Sequence, residues 1–238
     1  MRKITINLAA VAAFCIVVAS PALVSSSCAT PQTEQEDTTI IREDLGITAL
    51  KYSSPEVPAS IEFCGKTIDL SRFDRHERMD RELLAFTYMH STSLQMLKKA
   101  NRYFPIVEPI LKENGIPDDF KYLMVIESNM NPTARSSAGA AGLWQFMQGT
   151  GRDYGLEVNN NVDERYHIEK ATRAACRYLK DAYAKYKDWV AVAASYNAGQ
   201  ARIASQLAKQ DVDDSLDLQL VEETARYVYR ILAAKQLF

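Results

Sequence analysis

Asp118-Asp119-Phe120-Lys121-Tyr122-Leu123-Met124-Val125-Ile126-Glu127-Ser128 reads as one helix that carries an acid at the far end of its apolar side. Gly115 stops the preceding helix, Pro117 opens the next turn, and Asp118 and Asp119 put negative charge where a helix N-terminus favours it. Phe120, Leu123 and Met124 form an apolar stripe. Glu127 lies three and four residues beyond the last two, on that same stripe. A carboxylate there is partly desolvated, and the C-terminal end of the helix dipole disfavours its charge, so both effects raise its pKa. A carboxylic acid still protonated near neutral pH is what general acid catalysis needs. A salt-bridged structural glutamate also fits, and helix position by itself favours that plainer reading.

Helical spacing continues on both sides. Met79, Leu83, Phe86, His90, Leu94 and Leu97 fall at steps of three and four and predict one helical face from about Asp74, with His90 as a core histidine. Phe104 to Leu111 predicts a short helix opened by Pro105, and Gly142 to Thr150 one that carries Leu143, Phe146, Met147 and Thr150 on one side. Ala171 to Tyr186 predicts a long amphipathic helix, Asp188 to Asn197 a small-residue helix, and Val221, Ala225, Val228 and Leu232 mark the last. Upstream, residues 29–60 are rich in Thr, Ser, Glu, Asp and Pro and read as a tether, and Ile61 to Leu70 as a short hairpin or extended arm. No internal repeat is visible, and the expected core is all-α.

The residues C-terminal to Glu127 shift the balance toward a catalytic acid. Glu127-Ser128 leads to Asn131-Pro132, Ala138-Gly139-Ala140, Gly142-Leu143-Trp144-Gln145-Phe146-Met147 and, later, Val162-Asp163-Glu164-Arg165 and Tyr196-Asn197-Ala198-Gly199. Together with Gly115-Ile116-Pro117-Asp118-Asp119-Phe120-Lys121-Tyr122-Leu123, these ordered blocks resemble the catalytic domain of soluble-type lytic transglycosylases, and within them the membrane-bound murein transglycosylase D group. The resemblance runs from about Arg78 to the C-terminus. It implies a lysozyme-like (goose-type/transglycosylase) helical fold with a substrate cleft, and Glu127 as catalyst. It also implies Ser136, Gln145, Met147, Tyr196 and Asn197 as residues that orient the sugar and the acid, with Tyr227 of Glu223-Thr224-Ala225-Arg226-Tyr227-Val228 near the site. Each has a plainer role open to it. Ser136 fits a cap, Met147 fits core packing, and Tyr196-Asn197 fits a helix end. Asp163-Glu164-Arg165 reads as a cap and ion pair. Gly139 and Gly142 allow close backbone approach, as where a polysaccharide lies against the chain. Gln148 and Gln200-Ala201 depart from the family pattern in ways that touch loop stiffness more than chemistry.

Retaining and inverting glycosidases need a pair of carboxylates. From Ser128 to Arg152 this chain has no Asp or Glu. That fits a reaction in which the 6-hydroxyl of an N-acetylmuramoyl ring attacks its own C1 after Glu127 protonates the glycosidic oxygen, giving a 1,6-anhydro end without consuming water. The alternatives are a hydrolytic lysozyme or chitinase-like enzyme whose water is positioned by Asp153 or Glu157, and a non-enzymatic glycan-binding protein. Loss of Glu127 would be the simplest signature of the latter.

The 238 residues are 47% apolar and 24% charged, with a net charge of −2, which suits a globular protein and lacks the basic footprint of a nucleic-acid binder. Arg2 and Lys3 precede an apolar run from Leu8 to Ala19, too short to span a membrane and right for a signal peptide. We expect a signal peptide over 1–27, a linker and extended arm over 28–75, and a catalytic domain over 76–238. Val24-Ser25-Ser26-Ser27-Cys28 allows lipidation of Cys28, although Ser25 stands where Leu is usual, so outer-membrane anchoring and free periplasmic secretion both stay open. Cys64 and Cys176 could pair in an exported protein, and two free thiols is the favoured reading. No Cys or His spacing suggests a metal site, and no cofactor is expected. The expected partner is the peptidoglycan glycan strand, bound by a monomer, with membrane contact only through a lipid. Room for C-terminal glycan-binding repeats is not expected.

Overall fold

The computed structural model describes residues 55–89 and 91–238, which belong to one compact unit. The expected leader over 1–27, Cys28, the tether up to residue 54, and His90 lie outside the described residues.

A hairpin comes first. β1 (Ser60–Phe63) and β2 (Lys66–Asp69) pair antiparallel, with Ile61 opposite Ile68. The two-residue turn needs positive φ at both positions, which Cys64 (φ 53) and Gly65 (φ 80) supply. Phe63, Ile68 and Leu70 are buried, so this hairpin is part of the core. Asp119 fastens it. One carboxylate oxygen accepts the Cys64 N–H at 2.6 Å, and the other meets the Lys235 ammonium at 2.7 Å.

The rest is helical: α1 (Phe73–Tyr88), α2 (Ser91–Glu113), α3 (Phe120–Ser128), α4 (Gln148–Asp153), α5 (Ile168–Tyr186), α6 (Trp189–Ala198), α7 (Gln200–Lys209) and α8 (Glu222–Leu237). α8 packs against α1, α3 and α6, while α2 lies on α5 and α3. α3 buries Leu123, Met124, Val125 and Ile126 in succession, and α6 buries Val190 to Ala194. Helices buried on all sides belong at the centre of a domain. The small side chains of α6 let its neighbours come close, and Asp188 caps it by accepting the Val190 N–H at 2.7 Å.

Three expectations need correction. The face drawn through Leu94 and Leu97 does not run on from α1. α1 ends at Tyr88, Leu94 and Leu97 are 62% and 37% exposed, and α2 buries Met96, Ala100, Tyr103 and Val107 instead. The steps of three and four carry on across a break that apolar spacing cannot register. Pro105 does not open a helix either, because it and Pro109 both lie inside α2. The helix expected over Gly142 to Thr150 is an irregular loop as far as Met147, and only Gln148–Asp153 is helical. Gln145 has φ 48, which no α-helix accommodates. α7 has no counterpart among the expected helices.

That loop is held by Arg165. Asp163 accepts the Arg165 N–H and pairs with its guanidinium at 2.7 Å, so the cap-and-ion-pair reading stands. The same guanidinium donates to the carbonyls of Gly139 (2.8 Å) and Phe146 (3.0 Å). Gly142 (φ 80) is pressed against this segment, and a Cβ there would lie 1.9 Å from the Arg165 carbonyl oxygen. Its close approach is to the protein's own backbone and not to an open groove.

Candidate active site

Glu127 stands in the last turn of α3. Immediately after it the chain leaves the helix through two successive left-handed residues, Asn129 (φ 48) and Met130 (φ 59). Non-glycine residues hold that conformation at a cost, and only where their surroundings fix them. Here the fully buried Met130 side chain is the anchor. Ser128 donates its hydroxyl back to the Met124 carbonyl at 3.1 Å, so it secures the helix end. Asn131 closes the next turn by accepting from Thr133 N–H (3.1 Å) and hydroxyl (3.0 Å).

Burial pushes the Glu127 carboxyl up to about 7. A hydrogen bond from the Tyr227 hydroxyl to Oε1 and the Arg230 guanidinium act the other way, and Glu223 adds to the rise. The direction is the one that desolvation imposes on a lone acid on an apolar stripe. The Tyr227 and Tyr196 phenols are themselves pushed well up by burial and by the Glu127 charge. Both therefore remain hydrogen-bond donors across the working pH range.

A groove passes in front of Glu127. One part, about 530 Å³, is lined by Glu127, Asn129, Ser136 and Gln145 among others. The other, about 310 Å³, is lined by Gln145, Met147, Tyr196 and Asn197. Gln145 belongs to both walls, so the two parts meet at it. Its strained backbone is fixed by its own amide, which donates to the carbonyls of Gly142 (2.7 Å) and Ala134 (3.2 Å). Tyr196 donates to the Trp144 carbonyl at 2.7 Å, and its ring packs against those of Tyr178 and Phe146. Trp144 is in turn pinned by its indole N–H on the Thr172 hydroxyl at 2.9 Å.

The remaining candidates divide. Ser136 caps a small turn by accepting the Ala140 N–H at 3.0 Å, and it lines the groove as well. Met147 is 45% exposed on the groove wall and is not a core residue. Asn197 accepts from the Thr224 hydroxyl at 2.8 Å and donates to Glu223 at 3.3 Å, which locks the end of α6 to the start of α8. Asp153 and Glu157 line neither part of the groove, and the Glu157 carboxylate accepts from Asn159. A larger hollow of about 810 Å³ lies near Pro105 and Trp189. Its acids Glu108 and Asp118 are both paired with Lys121.

The sequence reading gives no role to Glu223 and Arg230, although both share a face of α8 with Tyr227 at steps of four and three. That spacing is the available signal. Arg165 reads in sequence only as half of an ion pair, because its reach to Gly139 and Phe146 depends on tertiary folding. Among the described residues, no group of three or more His, Cys, Asp or Glu is placed to hold a metal. Cys64 and Cys176 are both free thiols.

Comparison with known proteins bears on this site. Residues 105–217 match the family described as "Transglycosylase SLT domain". Over 166 residues the chain is 30% identical to "Membrane-bound lytic murein transglycosylase D" of Escherichia coli (strain K12), covering 68% of this chain and 36% of that protein. Over 123 residues it is 31% identical to "Peptidoglycan transglycosylase gp16" of Escherichia phage T7, covering 50% of this chain and 9% of that protein. The chain thus spans about a third of the length of the E. coli relative. An X-ray structure of an inactive mutant of the lytic transglycosylase Slt from Pseudomonas aeruginosa aligns with TM-score 0.49 and 22% identity, over 69% of this chain and 30% of that one.

Proposed function

We propose that the chain, whose residues 105–217 match the transglycosylase SLT domain family, is a peptidoglycan lytic transglycosylase that cleaves the β-1,4 bond between N-acetylmuramate and N-acetylglucosamine. The observation that carries this reading is Glu127. It is an acid raised to about 7 by burial and held by Tyr227, in a groove where it is the one carboxylate among the lining residues.

Tyr227 engages Oε1, and the transferable proton rides on the other carboxyl oxygen. Glu127 gives that proton to the glycosidic oxygen as the bond to C1 breaks. The developing positive charge at C1 is met by the substrate's own groups. The carboxylate then removes the proton of the muramoyl 6-hydroxyl as its oxygen closes on C1, which returns Glu127 to its starting state. No water enters the balance. A single residue that serves first as acid and then as base works best with a pKa near the operating pH. Retaining hydrolysis by a protein nucleophile would need a second carboxylate about 5 Å away, and the groove lining supplies none. Ser136, Gln145, Met147, Tyr196 and Asn197 are the surfaces on which the sugars lie, in a lysozyme-like cleft.

We further propose export of the chain to the periplasm by the leader over 1–27, either free or anchored through a lipid on Cys28. The intact mass of the mature protein tests that attachment, since an acylated N-terminus adds the mass of its lipid. For the activity, mass spectrometry of digested peptidoglycan is decisive. Anhydro-muramoyl ends support the reading. Ends heavier by one water would overturn it in favour of hydrolysis, and turnover retained in Glu127→Gln would overturn the assignment of the acid.

A further inference from the structure

α2 turns one polar face toward the acid. Thr92, Gln95 and Lys99, at steps of three and four, all line the part of the groove that holds Glu127, while Met96, Ala100 and Tyr103 on the other side of the helix are buried. Arg135, in the loop after α3, lines the same part. Glu127 is the one acid in that lining, so two cations share the groove wall with a single carboxyl. This local excess of positive charge occurs in a chain whose net charge is −2.

Among the described residues neither cation has an ion-pair partner. Lys121, Arg165 and Arg226 each hold a carboxylate within ion-pair distance, whereas among the described residues Lys99 and Arg135 hold none. Arg135 does help keep the Asp163 carboxyl low, but that carboxylate is bonded to Arg165. Lys99 is half-buried in the groove wall. A groove that only had to receive neutral N-acetylated sugars would have no use for it.

We propose that Lys99 and Arg135 form a carboxylate-binding subsite beside Glu127, and that they select glycan carrying peptide-stem carboxylates over neutral glycan of the same backbone. The proposal rests on the glycan-cleaving reading and adds the charge of the substrate to it. The two side chains come from different elements, α2 and the loop after α3, so they can meet a branched anion from two sides. Opposite charge at a groove also raises the rate of encounter and makes binding sensitive to salt. Both act on where the strand is held, and neither takes part in the bond-making steps.

The test uses the full chain carrying Glu127→Gln, which allows binding to be read without turnover. Two soluble probes are compared by calorimetry: peptide-bearing glycan oligomers released from peptidoglycan, and the same oligomers with their carboxyl groups converted to neutral methylamides. We expect the charged probe to bind about tenfold more tightly at low ionic strength and that margin to shrink with added salt. Adding Lys99→Met and Arg135→Gln should remove the preference by weakening only the charged probe. Both positions lie on the groove surface, and unchanged thermal unfolding of the variant confirms that its fold is intact. Equal affinity for the two probes overturns the subsite, as does a preference that survives the double substitution. Failure to bind either probe overturns the glycan reading together with it, so the two failures are distinct.

Discussion

Tyr227 donates its hydroxyl to Oε1 of Glu127 across a separation of one hundred residues. The bond joins the end of α3 to the middle of α8 and stabilises the charged form of the acid, in opposition to burial. Tyr227→Phe keeps the ring and removes the donor. The Glu127 pKa should then climb above about 7, and the alkaline limb of the pH–rate profile should move to higher pH. With the carboxyl no longer oriented, kcat should drop by about tenfold or more. A profile that moves to lower pH would contradict the role given to Tyr227.

The same raised acid weakens the fold. Glu127 has its pKa lifted from 4.5 to about 7, so the native state binds its proton more tightly than the unfolded chain does. Stability attributable to this group is intact below 4.5 and is lost as the pH rises through about 7. Glu127→Gln removes that dependence. Because the side chain is partly open to the groove, the gain above neutrality should be discounted to about 2 kcal/mol, and it should vanish in acid. Denaturant unfolding on both sides of that window measures it. A stability difference that stays constant with pH would refute the linkage.

Gly142 and Gly139 both have positive φ, at 80 and 90, yet they are unequal. A Cβ at Gly142 meets the Arg165 carbonyl at 1.9 Å, while one at Gly139 meets nothing within 4 Å. Gly139→Ala should cost about 1 kcal/mol, from backbone strain alone. Gly142→Ala should cost more than about 3 kcal/mol or prevent folding, because backbone has to move. Thermal unfolding of the two variants ranks them, and equal losses would mean that the contact is not what requires glycine.

Burial pushes the Cys176 thiol up to about 11, and Cys64 rises further under burial and the nearby Asp119 carboxylate. Alkylation of either should be slow in the native protein at mildly alkaline pH and fast in denaturant. Asp119→Asn removes the charge beside Cys64 and the pairing with Lys235. It should speed alkylation of Cys64 and leave Cys176 slow, as followed by peptide mass spectrometry.

Local signals in the sequence are legible where they decide the structure locally. Asp188 and the apolar run behind it locate α6 to within a residue, because cap and run agree. Glu127 stands out from its place on the stripe of α3, and the direction of its shift comes from the same placement. The mismatches have a common cause. Leu143, Phe146, Met147 and Thr150 imitate a helical face, but the loop there is shaped by Arg165, an arm that arrives from later in the chain. Leu94 and Leu97 continue a period that the chain itself interrupts. Lys99 is legible in principle, at seven residues from Thr92, but only the opposite wall of the groove gives that spacing a meaning.

The Asp119 carboxylate and the Tyr227 hydroxyl tie distant parts of the chain to α3, and Lys235 also donates to the Glu62 carbonyl across 173 residues. Such contacts form only after long loops have closed. During synthesis from the N-terminus, α3 emerges well before α8, so Glu127 exists for a time as an untuned glutamate. The bond between Tyr227 and Glu127 forms only when α8 docks. On the proposed reading, a chain that stalls or is clipped before α8 lacks the Tyr227 hydroxyl that holds and tunes Glu127, and should be inert.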